Sequence, residues 1–226
     1  MGNTPRPAAV KETPPDEDVY RFARSLAHEI RNPLNALALN LKLIERELSG
    51  GPARERLDAA LHEVRRLDDL VTAFLRFARP KKPHFHPSDV TSTLRELEAF
   101  VAPEAARRGV HVTFDIPPSL PLVTDGDLLK QALLNLVLNS FEAPAKNLTV
   151  KAETRDGTAV LVVRDDGPGV AEPARAFEPF YSTKETGTGL GLPTARQIVR
   201  ALGGELTLAP TAAGAAWVIT VPLAPA

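Results

Sequence analysis

The sequence predicts an α+β protein with two domains: a helical hairpin that dimerises into a four-helix bundle, then a two-layer α/β sandwich. Apolar residues recur at spacings of three and four through residues 16–79, and a proline-rich, basic stretch follows at residues 80–87. Beyond it, segments with helical spacing are interspersed with segments in which apolar and polar residues alternate. Residues 1–15 hold several prolines and few apolar residues, which is typical of a flexible leader. We therefore expect a leader at residues 1–15, the hairpin at 16–79, a linker at 80–87 and the sandwich at 88–226.

The composition is that of an ordinary globular protein, with 43% hydrophobic residues, 24% charged residues and a net charge of -1. This balance argues against nucleic-acid binding, which is usually accompanied by a basic excess. The absence of cysteine excludes disulfides, thiol catalysis and cysteine-ligated zinc. No apolar run reaches the ~18 residues that a membrane span needs. We expect no membrane span in this chain and a cytoplasmic location.

The hairpin consists of two long helices joined by a short turn. The first begins at about residue 16, and its apolar seam is Phe22, Leu26, Ile30, Leu34, Leu37, Leu41, Ile44 and Leu48. Pro33 lies inside this pattern and removes one backbone donor, so we expect a bend there. Ser49-Gly50-Gly51-Pro52 predicts the turn. The second helix has its seam at Leu57, Leu61, Val64, Val71, Leu75 and Ala78, interrupted by Asp68.

The apolar stripe of this hairpin is wider than two helices can bury by themselves. Pairing two hairpins into a four-helix bundle covers the stripe, so we expect a homodimer. The alternative is a monomer in which the second domain covers it.

The second domain is expected to contain three helices, at residues 91–108, 125–143 and 193–202. Strands are expected at residues 110–116, 148–153, 158–164, 205–208 and 216–221. Arg155-Asp156-Gly157 predicts a hairpin turn between two of these strands. This order of elements favours a two-layer sandwich.

The first motif with chemical potential is His28-Glu29-Ile30-Arg31-Asn32-Pro33 on the first helix. His28 and Asn32 are four residues apart and therefore share one helix face, with Glu29 beside the histidine. A neutral imidazole is a competent nucleophile when a carboxylate holds its other ring N–H. An amide one turn away can orient a water molecule.

Three stretches of the second domain carry further chemistry. Asn135 and Asn139 place two amides on one face of an otherwise apolar helix, where partners such as phosphates and hydrated Mg²⁺ would offset the cost of burial. Capping of neighbouring loops is the alternative. Asp165-Asp166-Gly167-Pro168-Gly169 follows a strand; its carboxylate can accept a hydrogen bond from an exocyclic amine, although a plain acidic turn would look similar.

The third stretch, Gly187-Thr188-Gly189-Leu190-Gly191-Leu192, opens a helix. Its backbone N–H groups and the helix dipole favour an anion. No Gly-Lys-Ser/Thr follows, so it is not a Walker loop, and no strand precedes it, so it is not a Rossmann fingerprint. The preceding run Phe177-Glu178-Pro179-Phe180-Tyr181-Ser182-Thr183-Lys184 suits a mobile lid with its aromatic residues as a latch.

Together these motifs resemble the H, N, G1, F and G2 boxes of bacterial two-component sensor histidine kinases, and they occur in the same order. The resemblance covers residues 16–223. Asn139-Ser140-Phe141-Glu142-Ala143 and the stretch from Glu178 to Lys184 look most like the nitrogen-regulation subgroup. The fold implied is a dimerisation and histidine-phosphotransfer hairpin followed by a Bergerat-type ATP-binding domain.

The resemblance implies the following roles. His28 would accept the γ-phosphoryl group of Mg-ATP, Glu29 would orient the imidazole and take its proton, and Asn32 would place a water for dephosphorylating a partner. Asn139 would bind Mg²⁺, and Asp165 would contact the adenine amine. The nucleotide site would comprise Asn135, Asn139, Asp165, Gly167, Gly169, Phe180, Lys184, Gly187, Thr188, Gly189, Leu190 and Gly191.

The partners implied are a second copy of the chain and the receiver domain of a response regulator. A separate sensor protein would provide the input, unless the chain is a fragment of a larger sensor. Two departures stand out: Asp166 adds negative charge near the phosphates, and Glu142 replaces a basic residue found in many members. Phosphate neutralisation would then fall on Lys184 or Lys146. The alternatives are a pseudokinase or scaffold that binds a response regulator, and a gyrase- or chaperone-type ATPase.

Overall fold

The computed structural model describes residues 17–47, 50–78, 82–184 and 187–224, without the side chains of residues 17–26, 28 and 47. It divides into two compact units between residues 79 and 80. The predicted leader lies outside the described residues. No helix among the described residues is long and apolar enough to cross a membrane.

The first unit is the expected helical hairpin. Helix α1 spans Glu17–Glu47 and continues through Pro33, and helix α2 spans Pro52–Ala78. Gly50 and Gly51 between them both have positive φ angles, which is how the chain reverses so tightly. Proline at the first position of α2 costs no hydrogen bond, because that N–H would have no intrahelical partner.

Polar contacts fix the pairing of the two helices. Arg31 Nε donates to a carboxylate oxygen of Asp68 at 2.8 Å, and Arg31 Nη2 donates to the Thr72 hydroxyl at 2.9 Å. Near the turn, Arg54 pairs with Glu45 at 2.6 Å. Asp68, which interrupts the apolar seam of α2, is therefore the partner of a residue in the His28 motif.

In a single chain, part of the predicted α1 seam is covered and part is not. Leu34 is buried, whereas Ile30, Leu37 and Ile44 have exposed fractions of 40%, 51% and 46%. One hairpin therefore leaves much of its apolar stripe uncovered, as expected for half of a four-helix bundle.

The second unit is the expected two-layer sandwich. The described residues of this unit form three α-helices: α3 (Val90–Arg108), α4 (Gly126–Glu142) and α5 (Gly191–Ala201). Its five-stranded sheet contains β2 (His111–Asp115), β4 (Asn147–Arg155), β5 (Thr158–Asp165), β6 (Glu205–Ala209) and β7 (Ala216–Pro222). The strand order is β2-β4-β5-β7-β6, parallel between β2 and β4 and antiparallel elsewhere. The apolar core lies between this sheet and the helices.

Two short strands, β1 (His86–Asp89) and β3 (Pro121–Thr124), pair with each other and were not predicted. Each has four residues and includes a proline, which cannot donate to a ladder, so neither shows a strand pattern. His86 and Pro87, assigned to the linker from the sequence, therefore belong to a strand. The other predicted boundaries differ from the observed ones by at most a few residues; for example, α5 begins at Gly191, whereas the prediction was Pro193.

Two local features place the functional residues of this unit. Asp125 caps α4 by accepting a hydrogen bond from the Leu128 amide at 3.0 Å, which sets where the helix begins. The β4–β5 hairpin turns at Asp156 and Gly157, both with positive φ, as the sequence predicted. Strand β5 ends at Asp165, beside the last turn of α4.

Candidate functional site

A cavity of about 410 Å³ opens between α4, the end of β5, the lid segment (residues 177–184) and the start of α5. It brings together nine of the residues predicted for the nucleotide site: Asn135, Asn139, Asp165, Gly169, Lys184, Gly187, Thr188, Gly189 and Gly191. Gly167, Phe180 and Leu190 are not part of its wall in this structure. The Phe180 side chain, expected to act as a latch, is 61% exposed.

Asp165 is a buried carboxylate on the wall of this cavity, with an exposed fraction of 4%. Its Oδ1 accepts hydrogen bonds from the Gly167 amide at 3.0 Å and the Ala215 amide at 3.2 Å, and its Oδ2 accepts from the Ser140 hydroxyl at 2.8 Å. A carboxylate has about four acceptor positions. Three are occupied by the protein, so Oδ2 retains one for a donor on a bound molecule.

Ser140 supports the candidate site through Asp165, although sequence reasoning gave it no role. It is 1% exposed, lies one residue after Asn139 on α4, and fixes the orientation of the Asp165 carboxylate. A serine in an apolar helix face was a weak signal, because serine often bonds to its own backbone there.

Asp166 has a different role from its neighbour. Its carboxylate accepts hydrogen bonds from the Lys146 and Asn147 amides at 2.8 and 2.9 Å and from Asn147 Nδ2 at 2.7 Å. These donors, with the Asn147 amide foremost, hold the pKa of Asp166 at about 2. The carboxylate expected to add charge near the phosphates instead joins the end of β5 to the start of β4, and Asp166 is not part of the cavity wall.

Asn135 and Asn139 project from the same face of α4, half-buried at the cavity wall. Lys184 reaches Asn139 from the lid segment. Its ammonium donates to the Asn139 backbone oxygen and to Asn139 Oδ1, both at 3.0 Å, and to a Glu142 carboxylate oxygen at 3.1 Å. Of the two lysines considered for phosphate neutralisation, Lys184 is at the cavity wall and Lys146 is not.

The glycine-rich loop is shaped by close packing against the lid segment. Gly189 has φ +66°, and a Cβ atom there would lie 2.5 Å from the Phe180 carbonyl carbon. The Phe180 amide donates to the Gly189 carbonyl oxygen at 3.1 Å. Only glycine fits at residue 189, because both the backbone conformation and the space exclude a side chain.

A charged cluster orders the polypeptide just before the lid segment. The Arg175 guanidinium lies 4.0 Å from the centre of the Tyr181 ring and forms ion pairs with Glu172 and Glu178. Tyr181 and Glu172 both belong to the cavity wall. These contacts were not predicted from the sequence, although both ion pairs join residues three positions apart.

The His28 motif lies on α1, in the other unit. Glu29 and Asn32 are exposed, and the backbone of His28 is one helical turn from that of Asn32. The His28 side chain lies outside the described residues. Arg31 of the same motif is held by Asp68 and Thr72 of α2, so this turn of α1 is tied to its neighbour helix.

Comparisons with known proteins agree with this organisation. Residues 18–83 match the His Kinase A (phospho-acceptor) domain, and residues 124–225 match the histidine kinase-, DNA gyrase B- and HSP90-like ATPase family. The sensor histidine kinase ZraS of Klebsiella oxytoca is 35% identical over 192 residues, covering 82% of this chain and 42% of ZraS. The histidine-protein kinase AtoS of Escherichia coli (strain K12) is 27% identical over 207 residues, covering 88% of this chain and 34% of AtoS. The chain thus spans less than half the length of these two relatives.

Two solved structures share the arrangement of elements. Full-length ShkA in complex with AMPPNP matches with a TM-score of 0.75 and 28% identity, over 91% of this chain and 46% of ShkA. ThkA in complex with the response regulator TrrA matches with a TM-score of 0.68 and 22% identity, over 90% of this chain and 61% of ThkA. At this identity the match indicates a shared fold only. Both domain families occur here in the order that the motifs indicated. The chain therefore contains the catalytic core of a two-component histidine kinase, a phospho-acceptor domain followed by an ATP-binding domain.

Proposed function

We propose that this chain phosphorylates its own His28 from Mg-ATP and passes the phosphoryl group to an aspartate in the receiver domain of a response regulator. The observation that carries the proposal is the distribution of charge around one cavity. A buried carboxylate with a remaining acceptor position lies in the wall that also holds the Asn139–Lys184 contact and the glycine-rich loop. This wall offers an acceptor for a base and donors for phosphates, as an adenosine nucleotide requires.

The base would be recognised by Asp165. The 6-amino group of adenine is a hydrogen-bond donor, and Asp165 Oδ2 has an acceptor position left for it. Because the carboxylate is held by Ser140, Gly167 and Ala215, it need not reorganise when the base binds.

The phosphates would lie near Lys184 and the backbone amides at the start of α5, with Asn135 beside them. The residues fit Mg²⁺, because Asn139 Oδ1 is a hard ligand and already contacts a cation, the Lys184 ammonium. Among the described residues, no group of three or more His, Cys, Asp or Glu residues could hold a metal. Asn139 and the phosphates would therefore share Mg²⁺, which when bound neutralises phosphate charge.

At the phospho-acceptor helix, the imidazole of His28 would attack the γ-phosphorus as the bond from that phosphorus to the bridging oxygen breaks and ADP leaves. Glu29 would hold the other ring N–H and take its proton, so that the phosphoimidazole forms without a positive charge on the ring. Asn32, exposed on the same face, would orient the water that dephosphorylates the regulator. The chain would thus be both kinase and phosphatase.

We further infer that the chain acts as a homodimer in the cytoplasm, in the nitrogen-regulation subgroup, with a separate sensor protein as a possible input. The uncovered Ile30, Leu37 and Ile44 support the dimer, since a second hairpin would bury them. The sequence Glu178-Pro179-Phe180-Tyr181-Ser182-Thr183-Lys184 supports the subgroup. The ThkA complex with a response regulator, which has the same fold, supports the receiver domain as partner.

The test is incubation of the purified chain with γ-labelled Mg-ATP, beside His28→Ala and the control His62→Ala on the exposed face of α2. We expect acid-labile, base-stable label on the wild type and on His62→Ala, and none on His28→Ala. Label that persists on His28→Ala would refute the assignment of the nucleophile. Tight ATP binding without label would favour a scaffold, or an ATPase if phosphate is released.

A further inference from the structure

The ammonium of Lys184 lies among three oxygen atoms of α4: the Asn139 backbone oxygen, Asn139 Oδ1 and one Glu142 carboxylate oxygen. The distances from Nζ are 3.0, 3.0 and 3.1 Å. An ammonium group has three N–H donors, so this set of oxygens, which we call the oxygen cage, can use all three. Lys184 is thus bound in the way that a small cation is bound.

The chemistry of the cage suits a divalent ion at least as well as an ammonium. Two carbonyl-type oxygens and one carboxylate oxygen form the hard ligand set that Mg²⁺ and Ca²⁺ prefer. The cage is open to solvent, with the side chains of Lys184 and Glu142 30% and 50% exposed. An ion pair this exposed contributes little net free energy, so another cation can displace the ammonium at small cost.

The ammonium and a metal ion cannot share Asn139 Oδ1. Mg²⁺ binds its oxygen ligands at about 2.1 Å, whereas Lys184 Nζ lies 3.0 Å from the same atom. With both present, a monovalent and a divalent cation would be forced within a few ångströms of each other and would repel strongly. Binding of the metal therefore requires Lys184 to leave the cage.

We propose that the oxygen cage is a cation-exchange site, in which the divalent ion that accompanies the nucleotide replaces the Lys184 ammonium and Glu142 sets the affinity for that ion. The inference rests on the proposed function, because it concerns the metal of bound Mg-nucleotide. The released ammonium, still tethered at the cavity wall, is then available to the phosphates. Glu142, at a position where many members of the family carry a basic residue, thereby becomes a residue that determines the metal requirement.

The charge of Glu142 gives the exchange a testable sign. Coulomb attraction scales with the charge of the ion, so removing one negative charge weakens the binding of a divalent ion more than the binding of an ammonium group. Glu142→Gln should raise the Mg²⁺ concentration for half-maximal nucleotide binding about fivefold, the scale of one exposed charge contact. The same change should slightly tighten nucleotide binding without metal, because it removes negative charge near the phosphates. If Glu142 served only to fasten the lid segment, its removal would free Lys184 and leave the Mg²⁺ requirement unchanged or lower.

The experiment is a calorimetric titration of the full chain with ADP, in EDTA and over a series of Mg²⁺ concentrations. Fluorescence of Trp217, the single tryptophan of the sequence and part of the cavity wall, reports binding at this site. Glu178→Gln is the matched control, because it removes the same charge from the lid segment, where Glu178 pairs with Arg175 outside the cavity wall. Near-ultraviolet circular dichroism of Trp217 checks that each variant is folded.

The expected result is a raised Mg²⁺ requirement for Glu142→Gln, with Glu178→Gln like the wild type. An equal rise of the Mg²⁺ requirement in both variants would mean that the effect comes from the net charge of the region and not from the cage, and would overturn the proposed exchange site. An unchanged or lowered requirement in Glu142→Gln would also overturn it, while ADP binding itself would leave the proposed nucleotide site standing. Failure of the folded wild type to bind ADP with or without Mg²⁺ would refute both.

Discussion

Substituting Asp165 by asparagine changes one atom in the wall of the cavity. The side chain keeps its shape, and its oxygen can remain with the amides of Gly167 and Ala215, which both bond to Oδ1. The new amide nitrogen then replaces Oδ2 and faces Ser140, whose hydroxyl can turn from donor to acceptor. We therefore expect Asp165→Asn to fold normally.

Its effect on nucleotide binding should be large, because a donor then faces the 6-amino group of adenine. A hydrogen bond to a charged group contributes about 1.5–3 kcal/mol, so ADP binding should weaken about 10- to 150-fold. Asp165→Ala would in addition leave two amides unpaired, at about 1–3 kcal/mol of unfolding free energy for each buried donor. The asparagine variant thus separates recognition of the base from folding.

Calorimetry with ADP and inosine diphosphate measures the effect on base recognition directly. Inosine carries an acceptor oxygen where adenosine carries the amine, so the wild type should prefer ADP and Asp165→Asn should lose or reverse this preference. Asp166→Asn is the matched control, because it removes the neighbouring carboxylate, which bonds to Lys146 and Asn147 instead of lying on the cavity wall. If Asp165→Asn still prefers ADP over inosine diphosphate as the wild type does, or if both variants lose this preference equally, Asp165 does not recognise the base.

Three further predictions concern the loop, the acid stability and the dimer. Gly189→Ala should destabilise the nucleotide-free chain by about 1–3 kcal/mol in urea unfolding, because of its positive φ and its contact with the lid backbone. Gly191→Ala, whose Cβ would meet nothing within 4 Å, should not. The depressed pKa of Asp166, about 2 against a usual 3.8, means that its contribution to stability is complete above pH ~4 and is lost as the pH falls from about 4 to about 2. When the free energy of unfolding is measured at each pH, Asp166→Asn should lack this loss of stability between about pH 4 and about pH 2. Leu37→Asp places a charge in the uncovered apolar seam and should weaken the proposed dimer by about 2 kcal/mol in sedimentation equilibrium. Leu39→Asp, at a residue that is exposed but lies off the seam, should leave the dimer unchanged.

Much of the fold could be predicted because its signals are local and periodic. The helical spacing of the α1 seam and the alternation within β4 and β5 each follow from a few neighbouring residues. The same holds for Gly50 and Gly51 at the turn, which need positive φ. Strands β1 and β3 could not be found in this way, since each is four residues long and is defined by its partner.

The candidate site likewise contains residues that could be predicted from local patterns and residues that could not. Asn135 and Asn139 were recognisable because polar groups in apolar surroundings need partners, and Asp165 because its carboxylate follows a strand and precedes glycines. The cavity brings the three residues together. Ser140 was overlooked because its partner, Asp165, is 25 residues away in the sequence. Asp166 was expected to add negative charge near the phosphates because its true partners are also distant in the sequence: they are amides at the start of another strand.

The contacts of Lys184 show why such long-range partners matter for function. Read from the sequence, Lys184 was a candidate for phosphate binding and Glu142 an unfavourable charge near the phosphates. In the structure Lys184 and Glu142, which are 42 residues apart in the sequence, form an ion pair. Glu142 holds Lys184 in place, and Lys184 compensates the negative charge of Glu142 at the cavity wall. Under the proposed function this site receives both a polyanion and a divalent cation, and the pair balances the charge of the site before either arrives. A departure from the usual residue pattern can therefore be matched by a second residue far along the chain, and only the folded arrangement identifies the two as one unit.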